Sequence, residues 1–151
     1  MNTFKTLTII LLLFAGCYKA TAQTEPELLV EKFFATYEES GSAAALDELY
    51  ATSKWINKAT DAVLQLKNKM EGLNEDYVGK YYGYELIVEK KISDSFVLLS
   101  YMVKFDRQPI RYTFQFYKPD DKWVTYSFQY DGNLSTELEE AAKIYFLDSG
   151  N

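Results

Sequence analysis

Histidine is absent from the chain. Its absence removes the commonest general base, the commonest transition-metal ligand and every catalytic triad built on imidazole. Cysteine occurs once, as Cys17. An internal disulfide is therefore excluded, and so is thiol catalysis in the domain that follows. There is no glycine-rich phosphate loop and no Gly-x-Ser-x-Gly turn. Acidic residues outnumber Lys and Arg by 22 to 16, with no basic stripe. That balance argues against nucleic acid and against an anionic membrane surface as partners of the chain as a whole. The apolar run Leu7–Ala15 is nine residues long, too short for a permanent membrane span. No cofactor, metal or catalytic residue is expected.

What is present begins with a leader. Lys5 precedes the apolar run, and Ala20-Thr21-Ala22 offers a small-x-small cleavage site with Gln23 as the new N-terminus. Residues 1–22 are thus expected to be a signal peptide, and residues 23–151 a single domain in the periplasm or secreted. A second reading stays open: Phe14-Ala15-Gly16-Cys17 resembles a bacterial lipobox, with Phe14 where Leu is usual. On that reading the protein is lipid-anchored through Cys17. Loss of residues 1–22 removes Lys5 and Lys19 and no acid, so the net charge moves from −6 to −8.

The domain opens on helical signals. Thr24-x-x-Glu27 forms a capping box, with Pro26 in the first turn. Leu29, Val30, Phe33, Phe34 and Tyr37 follow at helical spacing up to Gly41. Ser42 is expected to cap a second helix carrying Ala45, Leu46, Leu49 and Tyr50. Asn57 is expected to cap a third, with Ala59, Ala62, Val63, Leu66 and Met70 on one stripe and Gly72 as its stop. Each helix has one apolar face that another element must cover.

The second half supplies that cover. Four runs alternate with period two: Tyr82 to Val88, Val97 to Phe105, Ile110 to Phe116 and Val124 to Tyr130. Turn residues separate them at Ser93-Asp94, at 106–109 and at 119–121. A last helix, capped by Thr136-x-x-Glu139, carries Leu138, Ala141, Ala142 and Tyr145 on one side. The predicted fold class is α+β: N-terminal helices packed on the concave face of a curved four-stranded antiparallel meander, with a C-terminal helix. Strict alternation puts Tyr82, Tyr84, Tyr101, Tyr112, Tyr126 and Tyr130 on the inner face. It puts Met102, Arg111, Gln115, Tyr117 and Trp123 on the outer face. The mixture of aromatic, Met and neutral polar side chains there is that of a protein interface. Those five residues are the candidates for a homodimer contact.

Helices followed by a bent antiparallel meander resemble the NTF2-like superfamily of α+β cones, from about Glu25 onward. Gly79-Lys80-Tyr81-Tyr82-Gly83-Tyr84-Glu85 looks like the lead-in to the long first strand of small secreted members, of the kind found in Bacteroidetes. Phe116-Tyr117-Lys118-Pro119 with Lys122-Trp123 looks like their last hairpin. The resemblance implies a pocket between sheet and helices, lined here by Phe33, Tyr37, Tyr84, Tyr101, Tyr112, Phe114, Tyr126 and Phe128. Superfamily members include isomerases, dehydratases and hydrolases alongside pure binding domains, and fold alone does not choose among them.

The residues weigh against catalysis. An unperturbed phenol titrates near ~10, too high for a base at neutral pH, and regular alternation places no Asp on the inner face. Glu85 and Glu89 are expected on the outer face, solvated or close enough to act as a carboxylate pair. The acids at 120–121 and 131 lack the spacing of a calcium loop. The expected function is a noncatalytic exported domain binding a small apolar ligand or an envelope protein. An isomerase or dehydratase using Tyr hydroxyls and a purely structural homodimer are the alternatives.

Overall fold

A computed structural model describes residues 24–148. The expected leader and Cys17 lie outside the described residues. At Thr24 the backbone N–H donates to Glu27 Oε2 at 2.6 Å, one half of the capping box, and helix α1 runs Glu25–Ser40. Gly41 takes φ 87°, a conformation suited to glycine, and α2 (Ser42–Ala51) starts at once. Ser42 is therefore the first helical residue rather than the cap. Asn57 is not a cap either. It falls in a 3-10 turn, Ile56–Lys58, and α3 (Thr60–Glu71) begins after Ala59. A short helix α4 (Glu75–Val78), not expected from periodicity, is capped by Asn74, whose side chain accepts from the Tyr77 N–H.

Four strands follow: β1 (Tyr81–Ser93), β2 (Phe96–Phe105), β3 (Ile110–Tyr117) and β4 (Val124–Asp131). They form one antiparallel sheet in the order β1-β2-β3-β4. Helix α5 spans Leu134–Asp148, so Thr136 lies inside its first turn instead of capping it. The chain is α+β, as its pattern predicts. Among the described residues no helix is long and apolar enough to cross a membrane.

Tyr112, Phe114 and Phe116, on the sheet face turned to α1, are fully buried. Phe33 meets Phe114 edge-on at 5.1 Å and packs on Phe128 at 5.5 Å; Phe34 stacks on Tyr84 at 3.7 Å. Such ring pairs add about 0.5–1.5 kcal/mol each beyond the apolar area they bury.

The alternation is not strict, and this is the main departure from expectation. In β4 the register slips where Gln115 faces Ser127 but Phe116 faces Thr125. The extra residue of this β-bulge is Tyr126. Thr125 turns inward and is buried, while Tyr126 is 59% exposed and meets Phe96 edge-on at 5.2 Å, on the outer side. β1 slips between Tyr81 and Tyr84, where Gly83 has φ 102°, and again between Leu86 and Val88. Tyr82 is thereby exposed, Tyr81 packs against the core, and Val88 shares the outer face with Ser100. Glu89 and Lys91 take inner-face positions opposite Leu99 and Val97.

Candidate binding groove

The inner face is a packed core. Phe33, Tyr112 and Phe114 have 0–1% exposure, and Phe128 closes the same cluster. Tyr84 is half-buried against Phe34, and Tyr101 stands edge-on to both. Of the eight residues expected to line a pocket, Tyr126 is corrected to the outer face. Six others fill space between α1 and the sheet, and Tyr37 opens onto a groove.

That groove, of about 510 Å³, lies at the end of the sheet where α1 stops. The α1–α2 turn supplies Tyr37, Ser40 and Ser42; the segment from α3 to α4 supplies Met70, Leu73 and Asn74; β1 supplies Tyr81, and β2 ends there in Phe105. Gly79 lets the chain enter β1 at this point. It takes φ 82°, and a side chain there would press on Asp106. The Lys80 carbonyl accepts from the Asp106 N–H at 2.9 Å and the Val78 carbonyl from the Arg107 N–H at 3.0 Å, which ties α4 to the β2–β3 turn. Asn74 followed by Glu75 and Asp76 was a legible helix start. The groove itself left no periodic trace.

Phenols converge behind it. Tyr37 lies 5.5 Å from Tyr81 and 6.3 Å from Tyr112, ring centre to ring centre, and Tyr112 lies 6.4 Å from Tyr130. The Tyr112 hydroxyl is sealed from solvent and has no partner at hydrogen-bonding geometry, although Tyr37 is its polar neighbour. Burial raises the phenols of Tyr37, Tyr81 and Tyr112 above their ordinary range, and the nearby Glu38 carboxylate raises Tyr81 further. Burial and then the Glu27 carboxylate push Tyr101 up to about 12. Neutral phenols donate hydrogen bonds and are not bases at neutral pH.

One carboxylate that the pattern misplaced does face inward. Glu89, expected outside, is carried to the inner side by the β1 bulge. Its Oε1 is screened from solvent and lies 2.7 Å from Lys91 Nζ. The pairing raises the Lys91 ammonium above its usual range. Glu85 stays on the outer face, paired with Lys104 at 2.7 Å. Among the described residues no group of three or more His, Cys, Asp or Glu could hold a metal ion.

Met102, Arg111, Gln115 and Tyr117 take the outer face, with Met102 opposite Arg111 and Tyr117 opposite Phe96. Arg111 donates to Asp131 Oδ2 from Nε at 3.1 Å and from Nη2 at 2.9 Å, so its carboxylate partner is internal. Trp123 is a correction. It precedes β4, packs against the core and lines a small hollow with Thr24, Pro26 and Val97.

Comparison of the chain with protein-family models, with curated proteins and with solved structures finds no match in any of the three.

Proposed function

We propose that this is an exported, noncatalytic domain of the NTF2-like kind whose ligand site is the open groove beside Tyr37 and Tyr81. One observation carries the reading. The space that would be a reaction chamber is occupied by rings at 0–1% exposure, whereas Tyr37 and Tyr81 line a volume open to solvent. The floor of Met70, Leu73 and Phe105 suits an apolar body, and the surrounding hydroxyls suit one or two acceptor oxygens on it. An isomerase or dehydratase needs a base beside its phenols. The carboxylate that the β1 bulge turns inward, Glu89, is instead engaged by Lys91, and those beside the groove, Glu71 and Glu75 on its lining and Glu38 near Tyr81, are exposed to solvent rather than enclosed with the phenols.

Native mass spectrometry of the protein purified from its own envelope, beside a Tyr81→Ala variant, tests this. A copurifying small molecule on the wild type that is lost from the variant is the expected result. A ligand retained by the variant, or none on either, would remove the groove from consideration. The same spectra address a second reading, a homodimer through the outer sheet face. The contiguous rings of Phe96, Tyr117 and Tyr126 favour it, the last two being 42% and 59% exposed.

A further inference from the structure

Helix α2 begins on the lining of the Tyr37 groove with its first donors unused. Gly41, its cap, has no side chain to offer, and no other side chain caps the helix. The first bond of α2 runs from the Ala45 N–H to the Gly41 carbonyl at 3.2 Å. The N–H groups of Ser42 and Ala43 precede that bond, and among the described residues nothing accepts from them. Both residues line the groove. Ser42 itself is only 8% exposed. Its hydroxyl has no hydrogen-bond partner among the described residues, yet it is not sealed off as the Tyr112 hydroxyl is. The surface it keeps opens on the groove. Polar groups buried to this degree are ordinarily paired; this one has the groove where a partner would be.

The phenols of Tyr37 and Tyr81 add neutral hydroxyls to the same lining. Donors thus gather on one space, and charge narrows what can accept from them. Glu71 and Glu75 line the groove and Glu38 lies near Tyr81, with Lys80 the one cation on the described lining. The start of a helix contributes only about half a positive charge. A negative head group would therefore meet a surplus of carboxylates. An uncharged carbonyl takes up the donors without that repulsion. A positive head group would leave the donors unpaired, and it would gain little from carboxylates that are exposed and hydrated.

We infer that the groove takes an apolar molecule whose polar end is an uncharged carbonyl, of the amide, ester or ketone class, its oxygen accepting from the Ser42 hydroxyl and the N–H groups that open α2. The apolar body lies on Met70, Leu73 and Phe105. A volume of about 510 Å³ falls within the ordinary range of small-molecule sites, roughly 300–1,000 Å³. A carbonyl oxygen has two lone pairs, and a serine hydroxyl rotates to suit, so the donors at this helix start can share one atom. The inference rests on the groove reading and adds to it the class of head group and the place where it binds.

Three probes of matched chain length and different head group test this: octanamide, sodium octanoate and octylammonium chloride. Each is titrated into the isotope-labelled protein and followed by amide NMR. Octanamide should bind about tenfold more tightly than the other two and move the Ser42 and Ala43 amide signals downfield. Ser42→Ala should weaken octanamide about threefold or more and leave octylammonium unchanged. Ala43→Pro should also weaken octanamide, since it removes one N–H at the second helical position, the place Pro26 holds in α1. Retained dispersion of the amide spectrum will show that the variants fold. The Glu71→Gln, Glu75→Gln pair should bring octanoate closer to octanamide. Octanoate or octylammonium bound by the wild type as tightly as octanamide overturns the inference and leaves the groove standing. So does octanamide bound at Leu73 and Phe105 with the Ser42 and Ala43 signals unmoved. Signals of Leu73, Tyr81 and Phe105 that no probe moves overturn the inference and the groove together.

Discussion

Thr125 and Thr52, 73 residues apart, hold the helices to the last strand: the Thr125 backbone N–H donates to Thr52 Oγ1 at 2.9 Å. The Thr125 hydroxyl in turn donates to the Leu49 carbonyl at 2.9 Å, a group that the end of α2 leaves without a helical partner. The bulge at Tyr126 makes this bond set possible, because only a slipped register points Thr125 inward.

Removing either hydroxyl should therefore weaken the fold, and unequally. Thr125→Val keeps the shape and loses the bond to Leu49, and should lower stability by about 1 kcal/mol. Thr52→Val leaves the Thr125 N–H unpaired in a buried position and should cost about 1–3 kcal/mol. Urea unfolding measures both, as a lower midpoint at unchanged slope. If Thr125→Val proves the more damaging, the bond set does not work in this way.

Tyr112 invites the opposite substitution. Its ring is fully buried among Phe33, Phe34 and Phe128, but its hydroxyl lacks a well-aligned partner. Tyr112→Phe should leave stability unchanged or raise it by up to about 1 kcal/mol, since it removes a buried polar group that gains little. Tyr112→Ala should lower stability by about 3–5 kcal/mol through the lost ring contacts. A thermal melt of the two variants separates ring from hydroxyl.

Gly79 and Gly83 both sit at positive φ, 82° and 102°, in different surroundings. A Cβ at Gly83 meets nothing within 4 Å, while one at Gly79 comes within 2.6 Å of Asp106 Cβ. Gly83→Ala should thus show only the backbone strain, about 1–2 kcal/mol. Gly79→Ala should exceed it by about 1 kcal/mol or more, because the β2–β3 turn must shift. Equal losses measured by denaturant unfolding would show that the turn yields freely.

The phenols set an alkaline limit. Burial pushes Tyr50 up to about 12, and burial followed by neighbouring carboxylates does the same for Tyr101. In the unfolded chain both titrate near ~10. A folded pKa above the unfolded one contributes stability that is complete below pH ~10 and is lost as pH rises from there toward 12. The loss should approach ~1.4 kcal/mol per pH unit for each phenol. Urea midpoints taken across that window should fall, and the share of phenolate absorbance that belongs to the buried tyrosines should appear only as the protein unfolds. Tyr101→Phe should flatten the slope.

Much of the fold was legible in the chain. Phe33, Phe34, Tyr112 and Phe114 repeat with the periods of a helix and a strand, and those periods alone bring them together. The bulges were not legible, because period two carries past a slip without any mark in the residues. Tyr126, Val88 and Glu89 were accordingly read on the wrong face. Trp123 was misread for the same reason: the slip at Tyr126 reverses the faces of the residues before it, so Trp123 turns with Thr125 toward the core, beside Thr24 and Pro26. The groove escaped because Ser40, Asn74 and Gly79 come from turns, where no repeat signals which residues will be neighbours.

By itself the sequence determined what the protein is made to do without and how it layers. It has no imidazole and no disulfide, and its amphipathic helices must cover an aromatic sheet, because apolar faces spaced at two periods can be buried only against each other. Only the tertiary structure decided which tyrosines fill space and which meet solvent. That choice turns on single-residue slips in β1 and β4, the first permitted by the positive φ of Gly83 and the second held by the Thr52–Thr125 bonds between residues distant in the chain.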